Sequence, residues 1–142
     1  MSEADRIVAD YARRAQEVPA ERYDPATPAQ LFMRQSRERA LVGMLGAAGM
    51  LPLAERRVLD VGCGHGQWLA DLETFGARRE RIAGIDLVTE RVEAARARLP
   101  GADIRHGNAA ELPFEDGSFD LVLQSTVFSS ILDASVRRAV AA

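Results

Sequence analysis

The stretch Val58-Leu59-Asp60-Val61-Gly62-Cys63-Gly64-His65-Gly66-Gln67-Trp68-Leu69 constrains this chain more than any other, because an apolar strand breaks there into a glycine-rich turn that opens a helix. Glycines at 62, 64 and 66 remove Cβ atoms where a backbone must turn sharply, and they let a ligand touch main chain that side chains would shield. A nucleotide-like cofactor fits such a turn. Spacing narrows the choice: the dinucleotide fingerprint G-x-G-x-x-G would put its third glycine at position 67, where this chain has Gln67. The pyrophosphate reading, and with it an NAD-dependent oxidoreductase, loses ground. What stands here is D-x-G-x-G-x-G.

Three further segments follow in order. Ile82-Ala83-Gly84-Ile85-Asp86 reads as a short buried strand ending in an acid about 20 residues past the last glycine, the offset of a carboxylate that grips ribose hydroxyls. Then come His106-Gly107-Asn108-Ala109-Ala110-Glu111-Leu112-Pro113-Phe114 and Phe119-Asp120-Leu121-Val122-Leu123-Gln124. Together these resemble the four ordered motifs of the class I S-adenosylmethionine (SAM)-dependent methyltransferases, including their G-D-A-x-x-L-P-F and F-D-x-V segments. Within that family the chain is similar to small-molecule methyltransferases of bacterial biosynthetic pathways.

The resemblance implies SAM as cofactor and assigns roles along the crevice. Asp60 would organise the glycine loop and meet the cationic amino group of the methionine moiety. Gly62, Cys63 and Gly64 would present backbone groups to the amino-acid part, and Gly66 would allow close helix packing. Asp86 would accept from both ribose hydroxyls. Leu87 would pack on adenine, Asn108 would accept from the adenine amino group in place of the family's more frequent aspartate, and Ala109 would recognise the adenine edge. Gln124 and Ser125 would face the methionine moiety through main chain, with Thr126 to Phe128 bordering the methyl group. No catalytic base is assigned, since methyl transfer from a sulfonium relies on alignment and desolvation and neither His65 nor His106 stands out as one. The competing reading is a non-catalytic SAM-binding or interaction module.

Composition bounds the rest. At 142 residues and 47% hydrophobic content the chain suits one compact domain. A net charge of -3 provides no basic field for nucleic acid or an anionic membrane, which disfavours a nucleic-acid partner. All 18 positive side chains are arginine, so lysine Schiff-base chemistry is excluded. Cys63 is the single cysteine, so no intrachain disulfide forms and the cytoplasm is the expected setting. Its place in the loop invites a nucleophile reading, against which stands small apolar packing or a backbone contact to the cofactor. The two histidines have no partner at metal-ligand spacing, so no metal site is expected. Leu41 to Leu53 is apolar but far short of the roughly 20 residues that cross a bilayer.

Along the chain, residues 1–55 read as an N-terminal helical cap region and 56–142 as a partial Rossmann-like, SAM-binding α/β domain, the two forming one domain overall. Ile7, Val8, Tyr11 and Ala15 share one face of a first helix. Thr27 and Pro28 mark the start of a second, on which Arg34, Arg37 and Arg39 form either a solvated face or a contact to the methionine carboxylate. Strands are expected near 57–61, 82–86, 102–105 and 119–124. Helices are expected over 66–75, over 90–99 with Thr89 as cap, and from about Asp133. The parallel sheet should have order 3-2-1-4. By resemblance to the family's 3-2-1-4-5-7-6 sheet, the C-terminal strands are missing and the chain is truncated after the fourth. An unpaired fourth strand predicts self-association through that edge. The substrate would be a small-molecule acceptor.

Overall fold

The computed structural model describes residues 1–142, and the chain divides into two compact units: Met1–Val8 with Pro52–Ala142, and Ala9–Leu51. The first unit holds the sheet. Its strands are β1 (Val58–Val61), β2 (Ile82–Asp86), β3 (Asp103–His106) and β4 (Leu121–Leu123), all parallel in the order β3-β2-β1-β4. The expected order and class are therefore those observed. Register sets Asp60 beside Gly84 of β2 and Leu123 of β4.

Strands β1 and β2 are buried along their whole length, as central parallel strands covered on both faces must be. Period-2 alternation sends Leu59, Val61, Ala83 and Ile85 to one face, where Ala109, Phe114 and Phe119 pack on them. Phe114 and Phe119 meet edge to face at 5.1 Å, with the guanidiniums of Arg105 and Arg57 over their outer faces at 4.3 and 5.2 Å. Asp60 and Gly84 take the opposite face. Leu69 and Leu72 of helix α3 (Gln67–Thr74) are fully buried, as are Val92 and Ala95 of α4 (Thr89–Arg98). Each such leucine or valine contributes about 1.5–3 kcal/mol of burial.

Helix α3 is preceded by Gly66 at its cap, whose left-handed φ of 76° only glycine adopts freely, and is followed after Phe75 by Gly76 with φ 104°. One cap differs from expectation. Thr89 is the first residue of α4, and Val88 holds the cap position in extended conformation without a side-chain cap bond. Beyond β4 lie a single turn, α5 (Val127–Ser130), and α6 (Ala134–Ala141), which Asp133 caps by accepting from the amides of Ser135 and Val136 at 2.7 and 3.0 Å.

Helix α1 (Glu3–Glu17) begins in the sheet unit and continues into the second unit, which also contains a turn of 3-10 helix at Ala20–Tyr23 and α2 (Pro28–Ala47). Thr27 caps α2 by accepting from the Gln30 amide at 3.3 Å, with Pro28 in the first turn. Arg34 of α2 pairs with Glu38 one turn on, at 2.7 Å. No helix is long and apolar enough to cross a membrane.

Candidate functional site

Open α/β sheets bind ligands beyond the carboxyl ends of their strands, where strand order reverses, which here is the crevice between β1 and β4. The glycine turn closes β1 at that point. Gly62, Gly64 and Gly66 all have positive φ, at 74°, 53° and 76°. Their amides are fully engaged by the protein itself. Gly62 and Cys63 both donate to the Ile85 carbonyl at 2.8 and 3.0 Å, Gly64 donates to Asp86 Oδ2 at 2.8 Å, and Gly66 donates to the Cys63 carbonyl at 2.9 Å.

A turn that cradles pyrophosphate needs free N–H groups aimed at the anion, and every amide named above is spent internally. The acid groups at the same place point the other way. Asp60, only 1% exposed, has neither carboxylate oxygen hydrogen-bonded. Burial first, and the neighbouring Asp86 charge second, push its carboxyl up to about 7. A buried carboxyl with no hydrogen-bond partner fits a cationic group, because only a positive charge beside it stabilises its ionised form. The residues present thus suit the ammonium and sulfonium of SAM, and the four turn amides already used offer a pyrophosphate nothing.

Asp86 ends β2 and is nearly buried, with Oδ1 accepting from the Val88 amide at 2.9 Å and Oδ2 from Gly64. Those bonds tie the glycine turn to the neighbouring strand end and orient the carboxylate. Cys63 is buried, and its thiol is pushed up to about 12 by burial and then by the charges of Asp60 and Asp86. A thiol so held is no nucleophile at neutral pH. Its Sγ lies 2.9 Å from where a Cβ on Gly84 would sit, so Cys63 is packing.

Two expected site residues have side chains engaged elsewhere. Asn108 uses Oδ1 to accept from the Ala110 amide at 3.0 Å, forming a local turn. Gln124 donates through Nε2 to the Val140 carbonyl at 3.1 Å, which anchors α6 and leaves main chain as what it offers the crevice. Ala109 packs on the β1–β2 core. Leu87 is half-buried, and its carbonyl lies 2.9 Å from His106 Nε2. His106 is thereby occupied at the β3 end. His65 is held below its usual value by partial desolvation, then by Arg91 and Arg98.

Sequence reasoning missed a clamp on the connection between α5 and α6. Arg6 donates to the Ser130 carbonyl at 2.6 Å, and Glu3 Oε1 accepts from the Leu132 amide at 2.6 Å and from that of Asp133 at 3.3 Å. Glu3 and Arg6 also pair with each other at 2.8 Å, and the Glu3 carboxyl is drawn down to about 2, chiefly by that bond and the Leu132 amide. The three-residue spacing of Glu3 and Arg6 was the only signal in the sequence.

Residues 59–142 match the family described as a methyltransferase domain. A probable S-adenosylmethionine-dependent methyltransferase of Mycolicibacterium smegmatis is 46% identical over 80 residues, covering 56% of this chain and 30% of that protein. The 27-O-demethylrifamycin SV methyltransferase of Amycolatopsis mediterranei is 40% identical over 82 residues, covering 53% and 29%. Among solved structures, an S-adenosylmethionine-dependent methyltransferase from Mesorhizobium loti aligns with TM-score 0.52 at 30% identity, over 66% of this chain and 44% of that one. SAM-bound magnesium protoporphyrin IX methyltransferase from Synechocystis shares the fold at TM-score 0.71 and 18% identity, over 99% and 69%. The chain thus spans about 30% of the length of these curated relatives.

Proposed function

The chain belongs to the methyltransferase-domain family, in its class I SAM-dependent branch, and on that footing we propose that it forms the cofactor-binding part of an enzyme that methylates a small-molecule acceptor. The observation carrying this reading is the unpartnered Asp60 carboxyl beneath a glycine turn whose Gly62, Cys63, Gly64 and Gly66 amides are already used.

In this reading SAM supplies a methyl group made electrophilic by its sulfonium. Asp60 receives the ammonium end, with the carbonyl side of the Gly62–Gly64 turn as further acceptor surface. Asp86 binds the ribose hydroxyls with lone pairs beyond the two that it gives to Gly64 and Val88. Leu87 and Ala109 flank adenine, and the Asn108 amide offers its remaining donors there. The main chain of Gln124 and Ser125 borders the methionine moiety. With His106 turned to the Leu87 carbonyl, the protein's share of the rate is alignment and exclusion of water.

The small-molecule acceptor class rests on relatives such as the rifamycin-tailoring enzyme. We also assign the outer edge of β4, where Val122 is exposed, to self-association, and a cytoplasmic setting to a chain whose one thiol is buried and free. Calorimetric titration tests the cofactor assignment: SAM and S-adenosylhomocysteine give saturable binding, NAD gives none, and the reverse pattern overturns it. Binding without turnover on any acceptor would favour the non-catalytic module.

A further inference from the structure

We propose that Asp60 makes cofactor uptake proton-linked: the free protein keeps this carboxyl as the acid, and the arrival of a cationic ligand ionises it and releases one proton to solvent. The inference rests on the cofactor reading above and deepens it.

Both Asp60 oxygens are out of contact with solvent and without a hydrogen-bond partner, at the end of a strand buried on both faces. A bare carboxylate in that position has nothing to balance its charge, and protonation is the ordinary escape. The ionisable groups around it deepen the problem. Asp86 at the end of β2 adds a negative charge, and Cys63 in the turn is itself held as the neutral thiol, first by burial and then by the two acids. Asp71 of α3 accepts from Gln67 Nε2 at 2.9 Å, while β4 and α5 contain no titratable side chain. Burial and the Asp86 charge both favour the acid, and the carboxyl accordingly stands at about 7.

A ligand bearing an ammonium or sulfonium reverses the balance, because a positive charge beside Asp60 stabilises the anion in a site that screens poorly. The proton leaves as the cation enters. SAM carries such charges; 5′-methylthioadenosine has the same nucleoside but neither. Charge, as well as shape, then selects the ligand. The α-amino group of SAM is protonated both free and bound near pH 6 and adds no proton of its own there.

The test is titration calorimetry of the whole chain at pH 6, in two buffers of different ionisation enthalpy. SAM is expected to release about 0.9 proton, and its affinity to rise about fivefold from pH 6 to pH 7, as a group titrating near 7 requires. 5′-Methylthioadenosine binds with no release, Asp60→Asn takes up SAM with no release, and His65→Gln retains it. Should Asp60→Asn fail to fold, the contrast between the two ligands on the unaltered protein decides. SAM binding with equal heat in both buffers, or release that survives in Asp60→Asn, overturns the linkage while leaving the cofactor reading intact. Absence of any SAM binding removes both.

Discussion

Val127 occupies the space that a side chain on Gly62 would need: a Cβ placed there would lie 2.6 Å from Val127 Cγ2. The first glycine of the turn is therefore required twice, by its φ of 74° and by the helical turn packed against it. Gly62→Ala should cost about 2–4 kcal/mol, combining left-handed strain with overpacking. Urea denaturation reads this loss. Gly64→Ala, with similar φ but nothing within 4 Å, should cost only the strain component of about 1–2 kcal/mol.

Asp60 ties stability to pH in a definite direction. An acid raised on folding keeps its proton at pH values where the unfolded chain has lost it, so the folded state binds more protons between about pH 4 and pH 7. Stability falls as pH rises through that window and levels off above it. A change from 3.8 to about 7 corresponds to on the order of 4 kcal/mol at most. Urea midpoints across pH 4–8 should show this decline in the parent and a flatter profile in Asp60→Asn.

Asp86→Ala removes the acceptor for two turn amides along with the proposed ribose ligand. SAM affinity should fall at least tenfold, about 1.4 kcal/mol for a charge-assisted contact. The Gly64 amide, now without its acceptor, should exchange with solvent faster. Calorimetry and hydrogen exchange report the two effects separately, and unchanged affinity would remove the ribose assignment.

Glu3→Gln weakens the clamp on the connection between α5 and α6. The lowered Glu3 carboxyl stabilises the fold above its ordinary value, and that contribution disappears as pH falls through about 4.5 towards 2. The variant should lose this part of the acid dependence. Amides of Leu132 and Asp133 should exchange faster in it, with those of β1 unaffected.

Much of this was legible in residue order. The alternation from Val58 onward specifies parallel strands, the glycines specify the turn, and Thr27 and Asp133 announce helix starts through local chemistry. Each depends on neighbours within a few positions. The Glu3–Arg6 clamp reaches residues 130–133, a separation that no periodicity encodes. Asn108 and Gln124 were readable as positions at strand ends, but the partners of their side chains depend on where Ala110 and Val140 come to rest. The isolation of the Asp60 carboxyl is likewise a property of packing, visible only once β2 and β4 flank it.

Because its own carbonyl and carboxylate neighbours already satisfy the glycine turn, the segment holds its shape before anything docks there. Little ordering entropy remains to be lost on association. A ligand then meets a loop already shaped, and the cost of entry falls on dehydration of the charged groups and on the small shift that uncovers the Asp60 carboxyl.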